Sequence, residues 1–248
     1  MMSVRTMQDR VVGLMVAVVV ATAVALALTA TTAVASAQSW KRIAHDEGIV
    51  VSSREVEGRP FLEFRGVGLV HANLYQVLAV LDDTPRHCAW QANCAVSRIV
   101  RTVDAFTRYL YHRVKSPWPV SDRDVVVLAK IEVNLADRVV WSRFTAKPLA
   151  GHPAVSDAVR MPQLEGFYKL EWIDTDNTRV TYQVVADTGG MLPTWLANRA
   201  SRKLPLGTLQ GMRRQVVKMA GKYEAFHKRY NIERGGQIPA QFKADAKP

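Results

Sequence analysis

The sequence predicts an α+β domain in which a run of antiparallel strands is followed by one long amphipathic helix. Three observations predict it. Several segments between Val50 and Asp187 alternate apolar and polar residues with a period of two. Beyond Pro193 the apolar spacing changes to steps of three and four. No Gly/Ser- or Pro-rich linker and no internal repeat divides that order, so the segments share one core.

The elements follow in turn. Val50–Arg54 and Phe61–Val70 alternate as strands around the turn residues Gly58-Arg59-Pro60. Asn73 then opens the apolar run Leu74–Leu81, and Asp82-Asp83-Thr84-Pro85 closes it. Asn is a good N-cap and Pro a good stop, so this run is a short helix. A loop carrying Cys88, Trp90 and Cys94 comes next, and from Val96 onward the two-residue period dominates. In Arg123–Val133, Val125, Val127, Ala129, Ile131 and Val133 share one face against Lys130 and Glu132. In Phe167–Ile173, Tyr168, Leu170 and Trp172 oppose Lys169 and Glu171. In Arg179–Asp187, Val180, Tyr182, Val184 and Ala186 oppose Arg179, Thr181 and Gln183. These are strands with one apolar and one wet face. Arg138–Ala146 reads as a further strand, with the face of Trp141 left open, and Asp174-Thr175-Asp176-Asn177 is a hairpin turn.

Pro193 suits the first position of a short helix through about Ser201, which Leu204-Pro205 ends. In the long helix that follows, Leu209, Met212, Val216, Met219, Tyr223, Phe226 and Tyr230 form one stripe, and Arg213, Arg214, Lys218 and Lys222 fall off it. The polar stretch from Asn231 shows no period and reads as a disordered tail.

The beginning of the chain has another character. Arg5 and Arg10 precede the uncharged run Val11–Ala30, and Ala35-Ser36-Ala37 offers a small-x-small cleavage site. Residues 1–37 are thus a signal peptide or, because the apolar run is near the ~20 residues that span a bilayer, a retained anchor. Both readings export the domain, to the periplasm or cell envelope. In an oxidising compartment, Cys88 and Cys94 within one loop are expected to form a disulfide. His87 is the one other soft ligand nearby, too few for a metal site.

The chain has 33 Lys and Arg against 22 Asp and Glu, a formal charge of +11. In an exported protein this favours an anionic lipid surface over nucleic acid as partner. The six histidines show no His-Glu-x-x-His spacing, and neither a Gly-x-Ser-x-Gly elbow nor a phosphate-binding glycine loop occurs. Neither a catalytic group, a metal nor a cofactor is therefore expected, and His112, on a strand, reads as structural.

A resemblance adds to this reading. Trp118-Pro119-Val120-Ser121-Asp122-Arg123-Asp124 is similar to the Trp-Pro-x-Ser-x-Arg-Asp pattern of the START family. Val159-Arg160 stands where that family carries a Val-Arg step at the head of a strand. Asp187-Thr188-Gly189-Gly190-Met191-Leu192-Pro193-Thr194-Trp195-Leu196-Ala197-Asn198 resembles its turn and short helix before the last helix. The resemblance runs from about Trp40 to Tyr230 and implies a helix-grip fold, a curved antiparallel sheet wrapped around a long C-terminal helix.

It further implies a monomeric carrier of one hydrophobic lipid, phospholipid or sterol-like, in a tunnel closed by that helix. The expected walls are Val125, Val127, Ala129 and Ile131, then Tyr168, Leu170 and Trp172, then Tyr182 and Val184, and on the helix Leu209, Met212, Val216 and Met219. Sterol-binding members often carry an Arg six residues after the motif Arg. Ala129 stands there in this chain, which leaves Tyr109, Tyr111, Tyr168 and Tyr182 to supply a polar handle. Trp118, Pro119, Ser121, Arg123 and Asp124 are expected to pin their loop as scaffold. Arg199, Arg202, Lys203, Arg213, Arg214 and Lys218 are expected to dock on an anionic membrane. Two other classes remain beside the carrier: a helix-grip enzyme of cyclase or hydrolase type, and a non-catalytic envelope scaffold.

Overall fold

The computed structural model describes residues 39–134 and 136–223; the leader and the tail from Asn231 lie outside them. Its strands are β1 (Lys41–Asp46), β2 (Ile49–Val56), β3 (Arg59–Val70), β4 (Cys94–Thr102), β5 (Thr107–Val114), β6 (Asp122–Asn134), β7 (Val139–Ala146), β8 (Ala158–Arg160), β9 (Gln163–Trp172) and β10 (Thr178–Asp187). They form one sheet in the order β1-β2-β3-β10-β9-β7-β6-β5-β4, antiparallel throughout except that β8 lies parallel beside β6. Three helices complete the domain: α1 (Leu74–Asp82), α2 (Thr194–Ser201) and α3 (Leu204–Lys218). This is the expected α+β helix-grip.

Local chemistry sets the helix starts. Asn73 caps α1 with a capping box: its side chain accepts from the Gln76 amide at 3.0 Å, and the Gln76 side chain accepts from the Asn73 amide at 3.3 Å. Every residue of α1 except Gln76 is buried, so the helix is a plug inside the grip and not an amphipathic cover. Pro205 sits in the first turn of α3, where its missing N–H costs nothing. The Leu204-Pro205 step thus opens the long helix instead of merely ending the short one.

The far end of α3 differs from the sequence expectation. The helix stops at Lys218, and Gly221, at a φ of 74°, carries the chain away. Tyr223 therefore lies beyond the helix, while Phe226 and Tyr230 fall outside the described residues. One strand, β1, was absent from the sequence reading, and β8 entered it only through the resemblance at Val159-Arg160. Only two hydrophobic side chains fall among the six residues of β1, and β8 is too short to display a period.

α3 packs on β2, β3, β10 and α1. It approaches β3 so closely that a Cβ at Gly66 would stand 2.8 Å from the Pro205 Cβ. Against this half of the sheet the principal core is solid, with Leu78, Leu170, Val180 and Met212 each 0% exposed and Leu209 1%. Cys88 and Cys94 are joined as a disulfide, with sulfurs 2.06 Å apart, across the turn that leads into β4. Among the described residues no helix is long and apolar enough to cross a membrane.

Candidate functional site

The other half of the sheet is not filled. Between β5, β6, β7, β9 and β10 on one side and α1, α2 and the start of α3 on the other lies a cavity of about 280 Å³. Val125, Val127, Ala129 and Ile131 stand in its wall from β6, Tyr168 from β9, and Tyr182 and Val184 from β10. β3 adds Leu62 and Phe64, and β7 adds Ser142 and Phe144. The alternation works as strand geometry requires: residues two apart share the concave face.

Tyr168 and Tyr182 are paired across β9 and β10, and their rings stack at 4.5 Å and 10°. A phenol–phenol hydrogen bond joins them, and burial pushes both up, Tyr182 to about 12, so both remain protonated.

Eight residues expected in the wall are elsewhere. Tyr109 and Tyr111 point to the convex face, packed with Val126 beneath Arg101 and Arg98. On β5 it is Arg108, Leu110, His112 and Val114 that look inward. Leu170, Leu209, Met212 and Val216 belong to the solid core, and Trp172 packs at its edge, because α1 takes the space against that face of α3. Met219 is buried at the C-cap of α3, away from the cavity. The start of α3 reaches the wall instead, through Leu204 and Thr208. Trp141 lies on the convex face, 4.8 Å from Phe167 with the Arg143 guanidinium above it.

Sequence reasoning also missed a polar wall. Asp82 ends α1 and forms an ion pair with Arg108 at 2.8 Å, both side chains nearly buried and both lining the cavity. Arg108 is the register partner of Ala129, so an inward Arg stands one strand away from the motif-plus-six position. Beside it His87 and His112 stack at 5.5 Å. His87 donates from Nε2 to the Leu81 carbonyl at 2.8 Å, which leaves its Nδ1 an acceptor, buried and without a partner. An orphan of this kind costs about 1–3 kcal/mol. Burial pushes both imidazoles down, His87 to about 4 and His112 to about 3, and each feels its neighbours less strongly. The capped run ending at Asp82, then His87 three residues after Thr84, was the available signal. Nothing local pairs it with β5.

The mouth is built by two loops. Lys115, Ser116, Pro117 and Val120 line it from the β5–β6 loop, and Thr188 and Leu192 from the β10–α2 loop. Arg123 ties the loops together, donating to the carbonyls of Ser121, Thr188 and Gly189 at 2.6, 3.2 and 3.4 Å. Asp122 secures the first loop, accepting from Arg113 at 2.8 Å and from the Ser116 amide at 3.1 Å. Asp124 pairs with Arg160. Trp118 does not pin the loop: it is 92% exposed, as are Met191 and Trp195 at 102% and 66%. Pro119 and Ser121 are exposed as well, and only the Ser121 carbonyl is bonded. Among the described residues no cluster of three or more His, Cys, Asp or Glu could hold a metal ion.

A START-domain family model matches residues 23–219. The chain belongs to the START domain family. The STAR-related lipid transfer protein fragment of Xanthomonas axonopodis is 35% identical to this START domain, covering 72% of this chain and 98% of that one, with a TM-score of 0.65. An uncharacterized protein of Pseudomonas aeruginosa is 34% identical over 186 residues, 74% of this chain and 90% of the relative. Human StAR-related lipid transfer protein 5 shares the fold at 18% identity and a TM-score of 0.67, over 85% of this chain and 99% of that one.

Of the cations expected at a membrane, Arg199 on α2, Lys203 between α2 and α3, and Arg214 and Lys218 on α3 are exposed. Arg202 is exposed but donates to the Ile43 carbonyl at 3.0 Å. Arg213 is engaged within the fold. It is half-buried and donates to the carbonyls of Leu69 and Glu47, both at 2.8 Å, bracing α3 against the sheet.

Proposed function

We propose that this START domain carries one hydrophobic lipid and exchanges it with a membrane at the mouth between its two loops. The observation that carries the reading is the cavity itself: apolar on the β6, β9 and β10 walls, and opening beside an otherwise solid core. Apolar volume left unfilled forfeits contacts that a ligand restores. Each methylene transferred gains about 0.8 kcal/mol, much as it would in a bilayer, so exchange is nearly balanced.

Trp118, Met191 and Trp195 flank wall residues Pro117, Leu192 and Leu196 at the mouth, and large exposed side chains of this kind suit an interfacial layer. Arg199 and Lys203 lie beside them, and each cation near an anionic surface contributes about 1 kcal/mol. We read the site as one for binding and not for catalysis, since its two inner charged groups, Asp82 and Arg108, are engaged with each other and His87 spends its Nε2 proton on the Leu81 carbonyl. We further propose an exported protein of the cell envelope, on the leader pattern and the Cys88–Cys94 disulfide.

The test is organic extraction and native mass spectrometry of protein purified from its host, followed by lipid transfer between liposomes with and without anionic lipid. A retained lipid and transfer that rises with anionic content are expected. An empty protein that moves no lipid would end the proposal.

A further inference from the structure

One wall of the cavity is polar without being charged overall. Arg108 is neutralised by Asp82, and it also donates to the backbone carbonyls of Asp82 and Ala105. His87 keeps its proton on Nε2 through the Leu81 carbonyl. The His112 imidazole makes no hydrogen bond among the described residues, and a neutral imidazole offers one N–H and one lone pair. The other charged wall residues stand at the mouth: Lys115 is exposed, and Arg123 spends its donors on three carbonyls. The interior therefore offers hydrogen bonds but no free charge.

Size narrows the ligand further. The cavity, about 280 Å³, is about twice the ~150 Å³ dry cavity that accepts benzene. It falls just short of the ~300–1,000 Å³ typical of pockets for drug-sized molecules. A lipid with two acyl chains and a phosphorylated headgroup would not fit inside it whole. A carboxylate would bring an unpaired charge beside Asp82 and two neutral rings.

We propose that the cavity selects a compact neutral lipid of about a dozen carbons whose single hydroxyl is hydrogen-bonded by His112, making His112 the residue that sets ligand choice. A hydroxyl both donates and accepts, which matches what the His112 ring leaves unused. Burial keeps both imidazoles uncharged at neutral pH, His87 to about 4 and His112 to about 3, in accord with a neutral partner. The inference rests on the carrier reading and deepens it.

The experiment is displacement of 1-aminoanthracene, a three-ring probe compact enough for the cavity, from the full-length protein by dodecanol, dodecane, dodecanoate and phosphatidylcholine vesicles. Dodecanol should displace the dye at about tenfold lower concentration than the other three. His112→Phe, which keeps the ring stacked on His87, should erase that gap and leave dodecane unchanged. His112→Asn, which retains a donor and an acceptor, should keep part of it. Dodecanoate or phosphatidylcholine matching dodecanol, or an undiminished gap in folded His112→Phe, would overturn the inference and leave the carrier reading standing. If neither the probe nor any of the four lipids binds the wild type, both fall.

Discussion

Asp124 and Arg160 face each other across the parallel β6–β8 pair, with Nε and Nη2 of the arginine each 2.9 Å from one carboxylate oxygen. Asp124 is 0% exposed. The same guanidinium donates to the carbonyls of His152 and Pro153 at 3.3 and 2.8 Å, so one side chain ties the loop before β8 to the sheet. Removing one partner of a buried pair costs about 3–5 kcal/mol, since the other charge stays behind unpaired. Arg160→Ala is expected to lose that much in urea unfolding. A loss below about 1 kcal/mol would show that the pair is dispensable.

The histidine pair makes stability depend on pH. Burial holds His87 to about 4 and His112 to about 3, against 6.5 in an unfolded chain. Between those values the unfolded chain binds more protons, so acidification from about pH 6.5 towards 4 destabilises the fold. The slope is about 1.4 kcal/mol per pH unit for each histidine. Denaturant midpoints measured at about pH 7 and about pH 5 should differ accordingly, and His112→Phe should roughly halve the difference. Equal midpoints in the wild type would sink the argument.

Gly211 permits α3 to press against the turn before β4. A Cβ there would lie 2.0 Å from the Trp90 carbonyl oxygen, a contact that only a backbone shift could relieve. In a free helix Ala is better than Gly by about 1 kcal/mol. The clash should outweigh that gain, and Gly211→Ala is expected to lose about 1–3 kcal/mol, the usual range for overpacking. A thermal melt checks it; a rise in Tm would show that the helix moves away without cost.

Trp118 and Trp195 touch water and not the core. Replacing both with Ser should therefore leave stability within about 0.5 kcal/mol. Liposome-to-liposome transfer should fall about tenfold if the two rings enter the interface, since one 1.4 kcal/mol step is a factor of ten. Unchanged transfer would remove the mouth from the membrane contact.

The order of strands and helices, the cap at Asn73 and the inward face of β6 were legible because each depends on neighbours a few residues away. Val125, Val127, Ala129 and Ile131 share a face in any register that keeps the strand extended. Periodicity could not say which face of β5 looks inward. Tyr109 and Tyr111 are the more apolar side, and Arg108 and His112 look like the wet one. That face is inward because Asp82, twenty-six residues earlier in the chain, ends α1 close enough to neutralise Arg108.

The stripe on α3 was legible in the same partial way. Leu209, Met212 and Val216 do sit on a buried face, but whether a lipid or another helix covers it depends on where α1 inserts. Local sequence determined most of the elements and the inward faces of β6 and β10, since propensity, caps and alternation act over one or two turns. Tertiary structure alone decided which buried face closes on protein and which lines the cavity. That choice rests on charge pairing and packing between segments far apart in the chain.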